Sequence, residues 1–169
     1  MTKNLKLGIM MFLQYAVWGA WMPVTSRFLT ASVMDVGLGF TDSQMAIILG
    51  FAASIGALSA PFIAGQVADR YFSTEKILAF LVISGGLVKW YTALQTDFNA
   101  WLYLSILYSI LYMPTLALSN SIAFAHLEDS ENNFPKIRAW GTIGWIVATW
   151  TFPMIWLQTN LGFSFMPPF

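Results

Sequence analysis

Five long apolar stretches recur along this chain, at about 7–29, 42–67, 75–95, 99–125 and 136–158, with polar or charged turns between them and little polar alternation within them. Each exceeds the roughly 20 residues that an α-helix needs to cross a hydrocarbon core about 30 Å thick. The pattern predicts five helices with lipid as their solvent. Helix ends carry their own signals. Thr41-Asp42-Ser43-Gln44 is a capping box, in which the threonine side chain accepts from the amide three residues on and the glutamine reaches back, so a helix starts there. Asn99 reads as the cap of the fourth span. His126 to Asn133 is the most hydrophilic run and reads as a loop, after which Pro135 opens the fifth span.

The interiors are not uniform. Gly50, Ala53, Ser54, Gly56, Ala57, Ser59, Ala60 and Gly65 stud the second span, and such small residues let helices approach closely where packing replaces the hydrophobic drive. Pro61 is expected to kink it. In the fourth span Pro114 removes a backbone hydrogen bond at mid-membrane, and Asn120 adds an amide that needs partners. Gln14 does the same in the first. For both amides two readings stand open, an interhelical hydrogen bond or a place on a cavity wall. Lys89 lies beside Trp90 and Tyr91 near the end of the third span, where snorkelling to an interfacial aromatic belt is expected.

Composition sharpens this picture. The 169 residues are 57% hydrophobic and 9% charged, far from the quarter charged that soluble domains carry. The eight Lys and Arg balance the eight Asp and Glu, and no basic patch exists, so nucleic acid is not an expected partner. There is no cysteine, and His126 is the one histidine, which cannot build a metal site alone. No nucleophile stands beside a base and no phosphate loop is present, so an enzyme is not expected. Lys3 and Lys6 before an apolar run suggest a signal peptide, but tryptophans crowd the cleavage region and equally apolar segments follow; a retained first span is the better reading. Placing Lys3, Lys6, Arg70, Lys76, Lys136 and Arg138 on one side leaves Arg27 and Lys89 opposite, which puts the N-terminus in the cytoplasm.

Arg138 is the charge that asks for an explanation. It has no carboxylate within a helical turn and is followed at once by apolar and small residues, so its solvation is about to be lost. Such a group is either functional or, with Lys136, a cation snorkelling to the headgroups. Thr142 and Trp145 follow at spacings of four and three, hence on the same helical face. A guanidinium and a hydroxyl can donate hydrogen bonds to a polar solute, and an indole offers a flat stacking face.

A loop motif, and three further motifs in order, carry a family resemblance. Gly65-x-x-x-Asp69-Arg70 resembles the loop between the second and third helices of the major facilitator superfamily, although Phe72, Ser73 and Thr74 depart from its usual glycine and arginines. Phe12-Leu13-Gln14-Tyr15-x-x-Trp18-Gly19-x-Trp21, Tyr112-Met113-Pro114-Thr115-Leu116 and Phe134-Pro-x-Ile-Arg-x-Trp-Gly-Thr-Ile-Gly resemble the bacterial nucleoside:proton symporters of that superfamily. The resemblance implies an all-α membrane protein, the incomplete N-terminal half of a twelve-helix fold truncated at five spans. It implies nucleoside uptake across the inner membrane by proton symport through alternating access, with the proton gradient as energy source and no cofactor. Carried over by position, Arg138, Thr142 and Trp145 would bind substrate, Gln14 and Asn120 would line the cavity, and Asp69 with Arg70 would gate the cytoplasmic side. The aromatic at the position of Trp145 is more often phenylalanine in that family.

Every carboxylate falls in an expected loop or helix end, so none is an intramembrane proton carrier and the coupling acid would come from the missing C-terminal half. Residues 1–169 alone are therefore not expected to transport. A sugar or oligosaccharide proton symporter of the same superfamily is the nearest alternative, and a small non-transporting membrane assembly protein is the alternative from another class.

Overall fold

A computed structural model describes residues 2–35, 37–64 and 73–159, with the backbone alone for Asp35 and for 155–159. Among these residues the chain is helical between short turns, with no strand. Helix α1 (Lys3–Thr30) contains Pro23 and carries Arg27 in its last turn, where a cation offsets the helix dipole. The chain then folds back on itself. Leu38 N–H bonds the Phe28 carbonyl and Phe40 N–H that of Leu29, while Gly39 takes the left-handed φ of 65° that closes the turn.

Helix α2 (Asp42–Phe62) starts at the expected capping box. The Gln44 amide donates to Thr41 Oγ1 at 3.2 Å, and the Thr41 amide to Gln44 Oε1 at 3.0 Å. Thr41→Ala should cost about 1 kcal/mol by orphaning the Gln44 amide. The check is the thermal midpoint of the detergent-solubilised protein, and an unchanged midpoint would show that the box is redundant. Residues Ile47–Phe51 of α2 form a π turn, a widening that bends the side-chain register around Ile48 and Leu49.

Helices α3 (Thr74–Ala93), α4 (Phe98–His126) and α5 (Ser130–Thr159) complete the bundle. Two of the expected boundaries are displaced. Asp97, not Asn99, caps α4, its carboxylate accepting from the Ala100 amide at 3.0 Å; aspartate one residue before the helix reaches the free N–H of the third helical residue, and Asn99 is already helical. Similarly, α5 begins at Ser130 and Pro135 lies inside it, so most of the expected loop is helix. Asp129 adopts a φ of 51°, its carboxylate accepts from Asn132 Nδ2, and Asn133 Nδ2 bonds the Glu128 carbonyl. These polar side chains make a tight turn, and Phe134 stacks on Phe124 at 4.1 Å to draw α5 against α4.

The most extensive contact joins α1 to α5. The pairs run in step: Gly8 faces Trp140, Gly144 faces the Phe12 backbone, and Gly19 faces Trp145 and Thr149, so the two helices are parallel. Thr149 Oγ1 donates to the Gly19 carbonyl at 3.3 Å. Helix α4 packs on α2, where Gly56 admits Ser109, and on α3. Among the described residues four helices are long and apolar enough to cross a membrane; α5 is as long, but tryptophan, glycine and threonine dilute its apolar run. Large apolar side chains such as Leu58, Ile83, Tyr103 and Trp150 point outward, as lipid allows. This is the architecture of a multi-pass membrane protein.

Two apolar clusters bracket the bundle. One gathers Leu7, Met11, Ile77, Leu81, Leu118 and Ile137 near the start of α1; the other gathers Leu29, Ile48 and Trp101 near its end. Polar and aromatic side chains fill the space between.

Candidate functional site

Arg138 lies on the first apolar turns of α5, half-buried, with its guanidinium carbon 4.1 Å above the Tyr15 ring centroid. Gly141 makes this possible. A Cβ there would come within 2.7 Å of the Tyr15 ring and 3.0 Å of Arg138 Nη1, so only glycine one turn on leaves room for the stack. Among the described residues the guanidinium has neither ion-pair nor hydrogen-bond partner; the ion pair recorded there is His126 with Glu75, at 3.9 Å. A cation held by an aromatic face keeps its N–H donors available.

Beside it, Gln14 is buried and its amide donates to Thr115 Oγ1 at 2.6 Å. Tyr112 OH returns a bond to the Gln14 carbonyl at 2.7 Å, and Thr115 donates to the Tyr112 carbonyl. Of the two readings open for Gln14, this geometry displays the interhelical bond, tying α1 to α4 next to Pro114, where the helix lacks an N–H. A buried knot of this kind is costly to break, because each orphaned donor keeps its desolvation penalty of about 1–3 kcal/mol.

Trp145, half-buried, meets Trp18 of α1 edge to face, with ring centroids 5.1 Å apart at 76°. From there a file of rings crosses the bundle. Trp18 lies 6.2 Å from Tyr112, Tyr112 stacks on Tyr108 at 5.3 Å and 11°, and Tyr108 meets Trp21 at 5.5 Å. The file ends at Lys89, whose Nζ sits 3.5 Å from the Trp21 ring centroid and 5.1 Å from that of Tyr108. Lys89 therefore does not snorkel past Trp90 and Tyr91 as expected. It turns inward because three ring faces, Trp101 at 5.7 Å being the third, replace the solvation it would have sought outside.

The structure thus brings Arg138 and Trp145 against one face of α1, through Tyr15 and Trp18. Thr142 lies between them in sequence but is exposed, clear of the α1 seam. Asn120, half-buried on α4, has its Oδ1 buried without a partner among the described residues, and no contact links it to Arg138. Asp69 and Arg70 fall outside the described residues. Sequence reasoning passed over Tyr15, Trp18, Tyr108 and Tyr112 as the rings against which Arg138, Trp145 and Lys89 are held. Their spacing, 15 to 18 on one helix and 108 to 112 on the next, was the available signal.

A protein-family model described as nucleoside H+ symporter matches residues 1–166. YegT of Escherichia coli K12 is 40% identical over 149 residues, which cover 88% of this chain and 33% of YegT. The xanthosine permease of the same organism is 32% identical over 166 residues, 95% of this chain and 38% of the permease. The crystal structure of the nucleoside transporter NupG superposes with a TM-score of 0.80 at 31% identity, over 92% of this chain and 38% of that one. The chain spans about a third of the length of these relatives. Five helices folded as in the major facilitator transporter NupG, with the arginine and paired tryptophans on its α1–α5 seam, belong with these proteins: the chain is a member of the nucleoside:H+ symporter family.

Proposed function

We propose that the chain is the N-terminal portion of a permease that takes up nucleosides by proton symport through alternating access. The observation that carries this reading is the pairing on one seam of a guanidinium with free donors, Arg138 over Tyr15, and an aromatic platform, Trp145 against Trp18. A nucleoside offers the complementary groups, ribose hydroxyls and base carbonyls for the donors and a flat base for the indoles. Thr142, exposed one turn from Arg138, adds a hydroxyl, and Gln14 and Asn120 complete the polar lining in this reading.

The proton needs an acid, and the described carboxylates stand at turns or helix ends. Glu75, in the first turn of α3, already faces His126. Coupling therefore falls to the remaining two-thirds of a full-length relative's architecture, and residues 1–169 alone do not transport. The cation count orients the chain with its N-terminus in the cytoplasm of a bacterial inner membrane, which puts Asp69 and Arg70 at the cytoplasmic gate. The test is uptake of labelled uridine by transport-deficient cells carrying the complete reading frame, with and without a protonophore. Uptake that collapses when the gradient is removed supports symport. Uptake that persists without a gradient sinks the coupling, and inhibition by free ribose as strong as by unlabelled uridine favours a sugar porter instead.

A further inference from the structure

Lys89 belongs to none of the motifs above, yet it lines a space that α1, α3 and α4 leave between them. Its side chain borders a groove of about 340 Å³ between α1 and α3. On the other side it borders a crevice of about 70 Å³ toward α2, whose wall includes Trp18, Ile48 and Tyr112. The π turn of α2 contributes Ile48 and Leu49 to that wall. Lys89 therefore reaches from the helix least connected to the Arg138 seam back to the file of rings that starts at Trp145.

The polar groups around it are unbalanced. The ammonium has three N–H donors, and ring faces attract its charge without accepting those hydrogens in the ordinary sense. The described residues give it no carboxylate. Trp21 Nε1, a donor, and the Tyr108 hydroxyl, on a side chain only 6% exposed, are buried against each other with no other hydrogen-bond partner among the described residues. Buried polar groups are satisfied in nearly all proteins, so an ammonium without an acceptor, beside a tyrosine hydroxyl, marks a place that an acceptor fills.

Resting on the nucleoside reading, we propose that Lys89, with Trp21 and Tyr108, is a specificity site that selects nucleosides whose base presents a carbonyl, rather than an amino group, at the edge remote from the sugar. Trp18 lines the same crevice as Lys89, and a base stacked against it presents its far edge to the ammonium. Uracil and hypoxanthine present an oxygen at that edge, which accepts from the ammonium. Cytosine and adenine present N–H donors, which a cation repels and cannot bond. Substrates are therefore sorted by oxo against amino edge, across the pyrimidine and purine classes alike.

The experiment is uptake of labelled uridine by cells carrying the complete reading frame, competed with unlabelled uridine, cytidine, inosine and adenosine. The native protein is expected to favour uridine over cytidine and inosine over adenosine by about tenfold each, the range of a charge-assisted hydrogen bond. Lys89→Met keeps the side-chain length against Trp21 and removes the charge. Both ratios should fall together to near parity, and Lys89→Arg should restore them. Tyr108→Phe, which keeps the ring stack and removes only the hydroxyl, should lower both ratios and serves where Lys89→Met does not reach the membrane. Unchanged ratios in a membrane-inserted Lys89→Met, or equal loss of all four solutes, would overturn the assignment. A native protein that takes up nucleosides with neither preference would overturn it too, and one that takes up no nucleoside defeats the underlying reading as well.

Discussion

Arg138→Ala in the complete transporter is expected to lower nucleoside uptake by about 100-fold while leaving the amount of protein in the membrane unchanged. The two halves of that statement have separate causes. Stability changes little, because the guanidinium donates to no described residue and its stack on Tyr15 is half-exposed, worth about 0.5–1 kcal/mol. Uptake changes greatly if Arg138 binds the solute as proposed, because two charge-assisted hydrogen bonds, each about 1.5–3 kcal/mol, would then disappear together, and 1.4 kcal/mol is a factor of ten. Arg138→Lys should recover little, since a point charge lacks the fork that spans two oxygens. Initial rates of labelled uridine uptake, normalised to a fluorescent tag, are the measurement. Rates within twofold of native would return Arg138 to the role of a topology cation beside Lys136.

Gly144→Val is expected to damage the fold itself. The Cβ it adds would overlap the Phe12 carbonyl oxygen on the α1–α5 seam, and the obstacle is backbone, which cannot rotate away. Overpacking of this kind costs about 1–3 kcal/mol, and the upper end applies where two helices must separate to relieve it. Separation would also pull Trp145 from Trp18 and Gly141 from Tyr15, so the site is lost with the seam. Gly86→Ala is the control, because nothing lies within 4 Å of the added carbon and alanine is the better helix former. The monodisperse fraction after heating in detergent should fall for Gly144→Val and hold for Gly86→Ala. A Gly144→Val protein as heat-resistant as native would show that the helices are not in close contact there.

Much of this was readable along the chain, and the reasons are local. A capping box is a contact between residues three apart, so Thr41 and Gln44 announce the start of α2 without help from the rest of the protein. Apolar length reports the solvent, and four of the five helices are recognisable by it. Arg138 stood out because charge at the edge of an apolar run is expensive whatever surrounds it. Other boundaries slipped where a turn is made by side chains rather than by composition. The Asp129 conformation and its bonds from Asn132 and Asn133 let polar residues begin α5 early.

What the sequence determined by itself is what short-range physics decides: an all-helical chain in lipid, the capping box of α2, the small residues that permit close helices, and the cation on α5 that requires a partner. Tertiary structure alone decided which partners those are. Gln14 meets Thr115 across 101 positions of sequence, and Arg138 meets Tyr15 only because Gly141 clears the way. Lys89 shows the difference most clearly. On its own helix it has Trp90 and Tyr91 and every reason to reach outward, yet it lies inward over Trp21 and Tyr108, because the ring faces that compensate its charge belong to α1 and α4 and exist only once the helices have assembled.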